Sequence, residues 1–136
     1  MNTVIYPQPA VTQTNRPMLE AWSRGELLLQ RCRACGVPLV VPREVCPACW
    51  SPELHWERRS GRGRIKTLTA VYSHVTPPFA DEAPVHFCEI ELAEGGTLLA
   101  RVVDIEGTRG VEAGRAVELL PLPEATRYPL PTFRCC

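Results

Sequence analysis

Two pairs of cysteines are the residues of this chain best suited to chemistry. Each pair encloses two residues, as Cys32-Arg-Ala-Cys35 and Cys46-Pro-Ala-Cys49, and ten residues separate the pairs. Thiolates at this spacing can bind one metal ion while the backbone amides of the turn point at sulfur, and Gly36 relaxes the first turn. The spacing is typical of a zinc ribbon and predicts one Zn²⁺ held by these four cysteines.

The predicted zinc ion is structural, because four cysteine ligands leave no coordination position for water or substrate. Two disulfides, or a redox-active pair, are the alternative uses of cysteines in this pattern. The ribbon-like spacing of the two pairs favours zinc over both. Chemistry on a substrate would therefore require other residues.

The remaining candidates for catalysis are scattered along the chain. His55, His74 and His86 have no carboxylate or nucleophile that the sequence places beside them. Cys88 lies within a predicted strand, where a buried and inert thiol is typical. Cys135 and Cys136 end the sequence and have no assigned role. We therefore predict no catalytic residue in this chain.

Composition narrows the class of protein. A length of 136 residues suits one domain or two very small ones, and fifteen basic residues balance fifteen acidic ones. A net charge of zero disfavours nucleic acid, which proteins bind largely through its phosphates. The start of the chain lacks the pattern of a secretory signal, and no apolar run is long enough to span a bilayer. These features predict a protein of the reducing cytoplasm without membrane segments.

The elements that position the cysteines can be predicted from periodicity. Residues 1–15 are polar and aperiodic, and a short helix follows, with Pro17 in its first turn and Trp22 on its apolar face. Together they form an N-terminal arm and helix over 1–26. Residues 27–57 then form the zinc ribbon, in which apolar segments before Cys32 and before Cys46 pair as a hairpin.

Alternating apolar and polar residues follow the ribbon and predict strands over 64–75, 85–92, 97–104 and 116–120. The Glu94-Gly95-Gly96 turn joins the second and third of these as an antiparallel hairpin. We predict a mainly β fold in which a five-stranded OB-fold barrel occupies 58–122. Prolines in 123–136 predict an extended C-terminal tail without regular pairing.

The order of these motifs resembles one family of proteins over most of the chain. That family comprises the zinc-ribbon plus OB-fold accessory proteins found beside thiolases, HMG-CoA-synthase-like enzymes and lipid-transfer-protein-like aldolases. The resemblance rests on a helix with Trp22 followed, in order, by LLLQRCRACG, VPREVCPAC, Trp56, SGRGRIKTLTAVY, EIELAEGGTLLARVVD and VEAGRAVEL. One position departs from the family pattern, because His86 stands beside the place where relatives commonly carry a tyrosine.

The resemblance implies a rubredoxin-like zinc ribbon and a non-catalytic role. Members of the family look like subunits that pack on a thiolase-fold enzyme and help shape its acyl-CoA channel. The partner would then carry out thiolysis, Claisen condensation or retro-aldol cleavage beside a thioester. Our hypothesis for the mechanism is that the barrel face and the proline loop of residues 76–79 complete the substrate tunnel of the partner.

Two sets of residues are candidate contacts in such a complex. Trp22 and Trp50 lie in segments too short to bury them, so either a partner or the junction between ribbon and barrel must cover them. Arg62, Arg64 and Lys66 could meet the phosphates of coenzyme A, and a solvated basic edge is the alternative interpretation.

Three classes of function are consistent with the sequence: an interaction subunit of an acyl-CoA complex, a single-stranded nucleic-acid-binding protein, and an independent enzyme. An aromatic content of 7% and a net charge of zero disfavour the second class. The scattered histidines disfavour the third. We therefore predict an accessory subunit of a hetero-oligomer.

Overall fold

The computed structural model describes residues 9–72, 84–104, 110–120 and 131–136. Within these ranges the chain forms one short helix and eight strands. The elements are α1 (Arg16–Ser23), β1 (Leu27–Cys32), β2 (Pro38–Leu39), β3 (Leu54–Arg59), β4 (Arg62–Val71), β5 (Val85–Leu92), β6 (Thr97–Val103), β7 (Ala116–Leu119) and β8 (Thr132–Cys135). None of the helical residues described makes a segment long and apolar enough to cross a membrane.

Helix α1 begins and ends where the sequence predicts. Pro17 occupies its first turn, where the missing amide proton is not needed, and Asn15 stands at the N-cap. Gly25 follows the helix at a φ of 75°, and its amide donates to the Trp22 carbonyl at 2.8 Å. The left-handed conformation that glycine allows therefore turns the chain directly into β1.

The ribbon is a three-stranded antiparallel sheet in the order β2-β1-β3. Strand β1 pairs along its whole length with β3, from Leu27 opposite Arg59 to Cys32 opposite Leu54. Pairing with β2 is limited to two residue pairs, the first of which joins Gln30 and Leu39. The paired central strand therefore carries the first cysteine of the ribbon to a fixed position.

The second part is a closed barrel of five strands in the order β4-β5-β6-β8-β7. Along β5 the side chains alternate strictly from Phe87 onward, with Cys88, Ile90 and Leu92 buried and Phe87, Glu89 and Glu91 exposed. The buried set meets inward-facing residues of β4, β6, β7 and β8 in one core, which also includes Leu27 and Leu29 of β1. The predicted mainly β fold with a zinc ribbon and a five-stranded barrel is therefore confirmed.

Strand β8 corrects the expectation that residues 123–136 run extended without regular pairing. Thr132–Cys135 lie between β6 and β7, parallel to the first and antiparallel to the second, and close the barrel. The prolines at 121, 123, 129 and 131 all precede this strand, so every residue of β8 keeps an amide donor. Residues 121–130 lie outside the described part of the chain.

A network of charged side chains joins the ribbon to the barrel. Arg59 is 3% exposed and donates to the carbonyl oxygens of Gln30 and Gly95, both at 3.1 Å. Its Nε lies 3.2 Å from the Glu57 carboxylate. Arg31 donates to the Glu94 carbonyl at 3.0 Å. Both arginines therefore tie the ribbon to the turn between β5 and β6.

This turn also packs tightly against the ribbon. An added Cβ on Gly96 would lie 2.9 Å from Val40 Cγ1, and one on Gly95 would lie 3.1 Å from Pro38 Cγ. Both glycines also have positive φ, 103° at Gly95 and 89° at Gly96. The glycines of the hairpin are therefore required twice, for the turn and for the contact with the ribbon.

Replacing Arg59 with alanine should destabilise the fold by about 3 kcal/mol, because a buried charged group with several hydrogen bonds is removed and its acceptors are left unpaired. The matched control is its neighbour Arg58→Ala. Arg58 is 72% exposed and pairs with Glu26 on the surface, so its loss should change stability by less than about 1 kcal/mol. Equilibrium denaturation of both variants measures the difference, and equal effects would contradict the role of Arg59.

Candidate metal centre

The four predicted ligands come together at the end of the ribbon. Their sulfur atoms all lie within 4.8 Å of one another. Cys32 and Cys49 are 3.6 Å apart at sulfur, as are Cys35 and Cys46. A tetrahedral zinc with bonds of about 2.3 Å needs sulfurs about 3.8 Å apart, whereas a disulfide needs about 2.05 Å. The cluster therefore fits one structural Zn²⁺, and these cysteines are not disulfide-bonded.

Each cysteine pair is shaped by the same backbone turn. The amide of Gly36 donates to the Cys32 carbonyl at 2.9 Å, and the amide of Trp50 donates to the Cys46 carbonyl at 2.8 Å. The residue after each second cysteine has positive φ, 78° at Gly36 and 67° at Trp50. The two halves of the site are thus equivalent, except that a tryptophan replaces the glycine in the second.

Backbone amides favour the thiolate form of Cys32. The amide of Cys35 lowers the pKa of the Cys32 thiol to about 7, against the opposing effect of burial, and the amide of Ala34 adds to this. The amide of Ala48 lies 3.4 Å from the Cys46 sulfur. Cys32 and Cys46 are buried, while Cys35 and Cys49 face outward. Zinc bound here would hold the ribbon together and would have no open position for a substrate.

The two tryptophans proposed as contacts have opposite environments. Trp22 is 6% exposed and packs with Leu120 against Val103 and Leu119 of the barrel. It therefore fills a junction within the chain, which was the alternative to docking, and it is not available as a docking anchor. Trp50 is 79% exposed.

The basic residues Arg62, Arg64 and Lys66 lie along β4 and are all exposed. Arg62 stands opposite Glu118 in the neighbouring strand, and Arg64 stands opposite Glu91. Arg64 also donates to the Gly114 carbonyl at 3.1 Å. The structure therefore places acidic residues beside two of these three cations.

Gly61 and Gly63, which flank Arg62, pack closely against neighbouring strands. An added Cβ on Gly63 would lie 2.6 Å from the Glu91 carbonyl oxygen, and one on Gly61 would lie 2.9 Å from Leu119 Cβ. Neighbouring strands of the chain therefore occupy the space beside both glycines.

The other candidate residues remain apart. His55 lies in β3 opposite Arg31, and His86 lies in β5 opposite Val102. His74 and the proline loop of residues 76–79 lie outside the described residues.

The sequence did not predict that Arg31, Arg59 and Glu94 form a charged network between the ribbon and the barrel. The Glu94-Gly95-Gly96 turn was its only visible signal.

Cys88 should resist alkylation at neutral pH. It is fully buried in the barrel core, and burial raises the pKa of its thiol to about 11. At pH 8 only about one thiol in a thousand would be ionised, and the reagent would need the barrel to open. Mass spectrometry after brief iodoacetamide treatment of the zinc-loaded chain should find exposed Cys136 modified and Cys88 intact. Equal labelling of the two would contradict this.

Comparison with known proteins identifies two domain families along the chain. Residues 19–55 match the model described as "ChsH2, rubredoxin-like zinc ribbon domain", and residues 56–120 match "ChsH2, C-terminal OB-fold domain". Among solved structures, a chain of the Ltp2-ChsH2(DUF35) aldolase is similar, with 30% identity and a TM-score of 0.78. The match covers 94% of this chain and 98% of that one.

More distant relatives share the same architecture. A DUF35-family protein of unknown function from Sulfolobus solfataricus has 14% identity and a TM-score of 0.65, over 93% of this chain and 87% of that one. This likeness shows the fold.

Two curated relatives match this chain, and both are longer than it. A probable enoyl-CoA hydratase alpha subunit from Thermomonospora curvata is 31% identical over 94% of this chain. A DUF35 domain-containing scaffold protein from Methanocaldococcus jannaschii is 37% identical over 54% of it. The matches span 39% and 52% of the lengths of these two relatives. With both domain models matched in order, the resemblance seen in the sequence is confirmed: this chain belongs to the DUF35 family of ChsH2-type proteins, in which a rubredoxin-like zinc ribbon precedes an OB-fold domain.

Proposed function

We propose that this chain is a non-catalytic scaffold subunit that docks on a thiolase-superfamily enzyme and helps form the acyl-CoA channel of that enzyme. The partner would carry out the carbon-carbon bond chemistry beside the thioester, as thiolysis, Claisen condensation or retro-aldol cleavage. The zinc ribbon would serve as a rigid docking element, held to the barrel by the Arg31 and Arg59 contacts.

The observation that carries this proposal is the near-complete match to a chain of the Ltp2-ChsH2(DUF35) aldolase, at a TM-score of 0.78. Two further names agree with it. One curated relative is described as a scaffold protein, and another as a subunit of a probable enoyl-CoA hydratase, which refers to a coenzyme A thioester. A metal site saturated by four cysteines supports a structural role for the ion.

Purification of the tagged chain from its native cells, followed by mass spectrometry, tests the proposal. We expect a thiolase-fold enzyme in defined stoichiometry and one zinc per copy of this chain. Acyl-CoA turnover should require the partner and should be absent from this chain alone. A zinc-loaded chain that recovers no such enzyme, or that turns over acyl-CoA by itself, would overturn the proposal.

The complex is proposed to reside in the cytoplasm. None of the seven cysteines forms a disulfide. Four of them form a metal cluster that binds zinc only in the reduced state. A reducing compartment keeps such thiols available. Fractionation of the native cells with an antibody to this chain tests the location.

Within this complex, Arg62, Arg64 and Lys66 are proposed to contact the phosphates of coenzyme A. Their exposure on one strand supports this, although Glu118 and Glu91 reduce the local positive charge. The double variant Arg62→Ala/Arg64→Ala should raise the KM for acyl-CoA in the assembled complex several-fold with kcat little changed, because the lost contacts bind substrate and transition state alike. Arg58→Ala is the control, since Arg58 is exposed and lies outside this set. An unchanged KM in the double variant would refute the phosphate contact.

Nucleic acid is the alternative ligand for a ribbon joined to such a barrel. On the exposed side of β5 the residues are Phe87, Glu89 and Glu91. Single-strand binders instead present several aromatic platforms in a basic groove. The proposal therefore expects no tight binding of single-stranded DNA or RNA in a filter assay at low salt. Tight binding there would favour the alternative.

A further inference from the structure

The end of the ribbon that carries Trp50 exposes large apolar side chains. Trp50 is the most exposed of the large hydrophobic residues in the described part of the chain, and Val45 beside it in the same groove is 43% exposed. Pro42 and Pro47 line this groove as well. We call the set Pro42, Arg43, Val45, Pro47 and Trp50 the ribbon-tip surface. Prolines are rigid, and a tryptophan side chain has few rotatable bonds. The surface is therefore preorganised, because few side-chain conformations are lost on binding.

The backbone conformation at Trp50 disfavours a bulky side chain. The position has a φ of 67°, and the equivalent position in the first cysteine pair is Gly36 at 78°. Glycine adopts this conformation freely, whereas a bulky side chain there is strained. Trp50 therefore replaces the residue that the turn favours, and the side chain gains little burial within the chain in return. The fold alone gives no reason for tryptophan at this position.

The charges along the groove indicate what kind of surface would cover it. Glu44 accepts a hydrogen bond from the Thr14 hydroxyl at 3.3 Å. The Arg43 backbone amide donates to Gln30 Oε1 at 2.7 Å, which holds the backbone at this position. Its guanidinium makes no ion pair with any residue in the described ranges. The groove therefore offers an indole and a guanidinium that is free to pair with a partner, with the Glu44 carboxylate in the same lining.

From this combination, we propose that the ribbon-tip surface is the anchor by which this chain docks on the thiolase-fold subunit of the proposed complex. Trp50 enters an apolar pocket of that subunit, and a carboxylate at the pocket rim pairs with Arg43. Tryptophan and arginine are the residues most enriched among those that dominate binding energy at protein interfaces. This inference rests on the proposed function and names the surface that performs it.

The decisive variants are Trp50→Gly and Trp50→Asn, because both residues tolerate positive φ. Each removes the indole while relieving the strain of the turn. With the thiolase-fold subunit that co-purifies with the wild-type chain as the probe, we expect each variant to weaken the Kd about 30-fold or more, as for an anchor residue. Zinc content should stay at one per chain, and the thermal midpoint of the free chain should not fall.

Two further variants test whether a loss of binding is specific to the ribbon-tip surface. Arg43→Glu should slow association and reverse the salt dependence of the association rate, because the attraction to the partner carboxylate becomes a repulsion that salt screens. Leu99→Ala is the matched control, since Leu99 is 67% exposed on barrel strand β6. It should bind the partner as the wild type does.

Each outcome of the binding experiment is decisive. If the wild type forms the complex and both Trp50 variants bind within about threefold of it, the docking surface is wrong and the proposed function stands. Loss of zinc in both variants would also overturn it, because Trp50 would then be needed for the fold. If the wild type binds no thiolase-fold subunit, the proposed function fails and this inference fails with it.

Discussion

Replacing Cys46 with serine should abolish zinc binding and unfold the ribbon. Cys46 is fully buried at the centre of the cluster, and three thiolates with a hydroxyl are a much weaker site than four thiolates. Metal binding contributes about 10–16 kcal/mol in small zinc domains, far more than the ribbon's short strands can supply. Metal analysis should find no stoichiometric zinc, and hydrogen exchange should show loss of protection in β1 and β2.

The effect should extend to the barrel, because Leu27 and Leu29 of β1 are part of the barrel core. We expect a lower thermal midpoint of the barrel rather than its complete unfolding, since its five strands pair among themselves. Cys136→Ser is the control, because Cys136 is exposed and lies outside the cluster. Retention of one zinc and of ribbon protection in Cys46→Ser would contradict the assignment of the ligands.

Phe133→Ala should destabilise the barrel by about 3–5 kcal/mol, the usual loss for a large buried aromatic side chain. Phe133 is fully buried in β8, opposite Val102 of β6 and Leu119 of β7. Since small domains have only about 5–15 kcal/mol of stability, this loss would leave the chain marginally folded or unfolded. Urea denaturation monitored by circular dichroism measures the change.

Leu99→Ala is again the control, because its side chain is exposed and its loss should change stability by about 0.5 kcal/mol or less. If Phe133→Ala behaves like this control, β8 does not close the barrel. The expected difference therefore tests the feature of the fold that the sequence did not reveal.

The parts of the fold that could be predicted are those encoded by local patterns. The spacing of Cys32, Cys35, Cys46 and Cys49 predicts the metal site because ligand spacing of two residues restricts the geometry of the turn. The alternation along β5 and β6 and the Gly95-Gly96 turn predict a hairpin because both the period and the turn are properties of adjacent residues. Helix α1 was predicted for the same reason, from Pro17 and the apolar spacing that follows it.

The parts that could not be predicted depend on contacts between distant residues. Strand β8 has four residues and follows a proline-rich segment, so its pairing is visible only when β6 and β7 are in place. Arg59 belongs to a run of basic residues in the sequence, and only the structure distinguishes it, as a buried link to Gly95, from exposed Arg58.

Trp22 and Trp50 show most clearly what the sequence determines and what only the tertiary structure decides. By itself, the sequence determined that the chain is a four-cysteine zinc ribbon followed by a β-barrel, because spacing and periodicity are local. It could not determine which tryptophan is buried. Tertiary structure decided that Trp22 packs on Leu120 and that Trp50 stays 79% exposed. Burial is decided by which surfaces meet when distant segments pack together, and no local pattern along the chain records that.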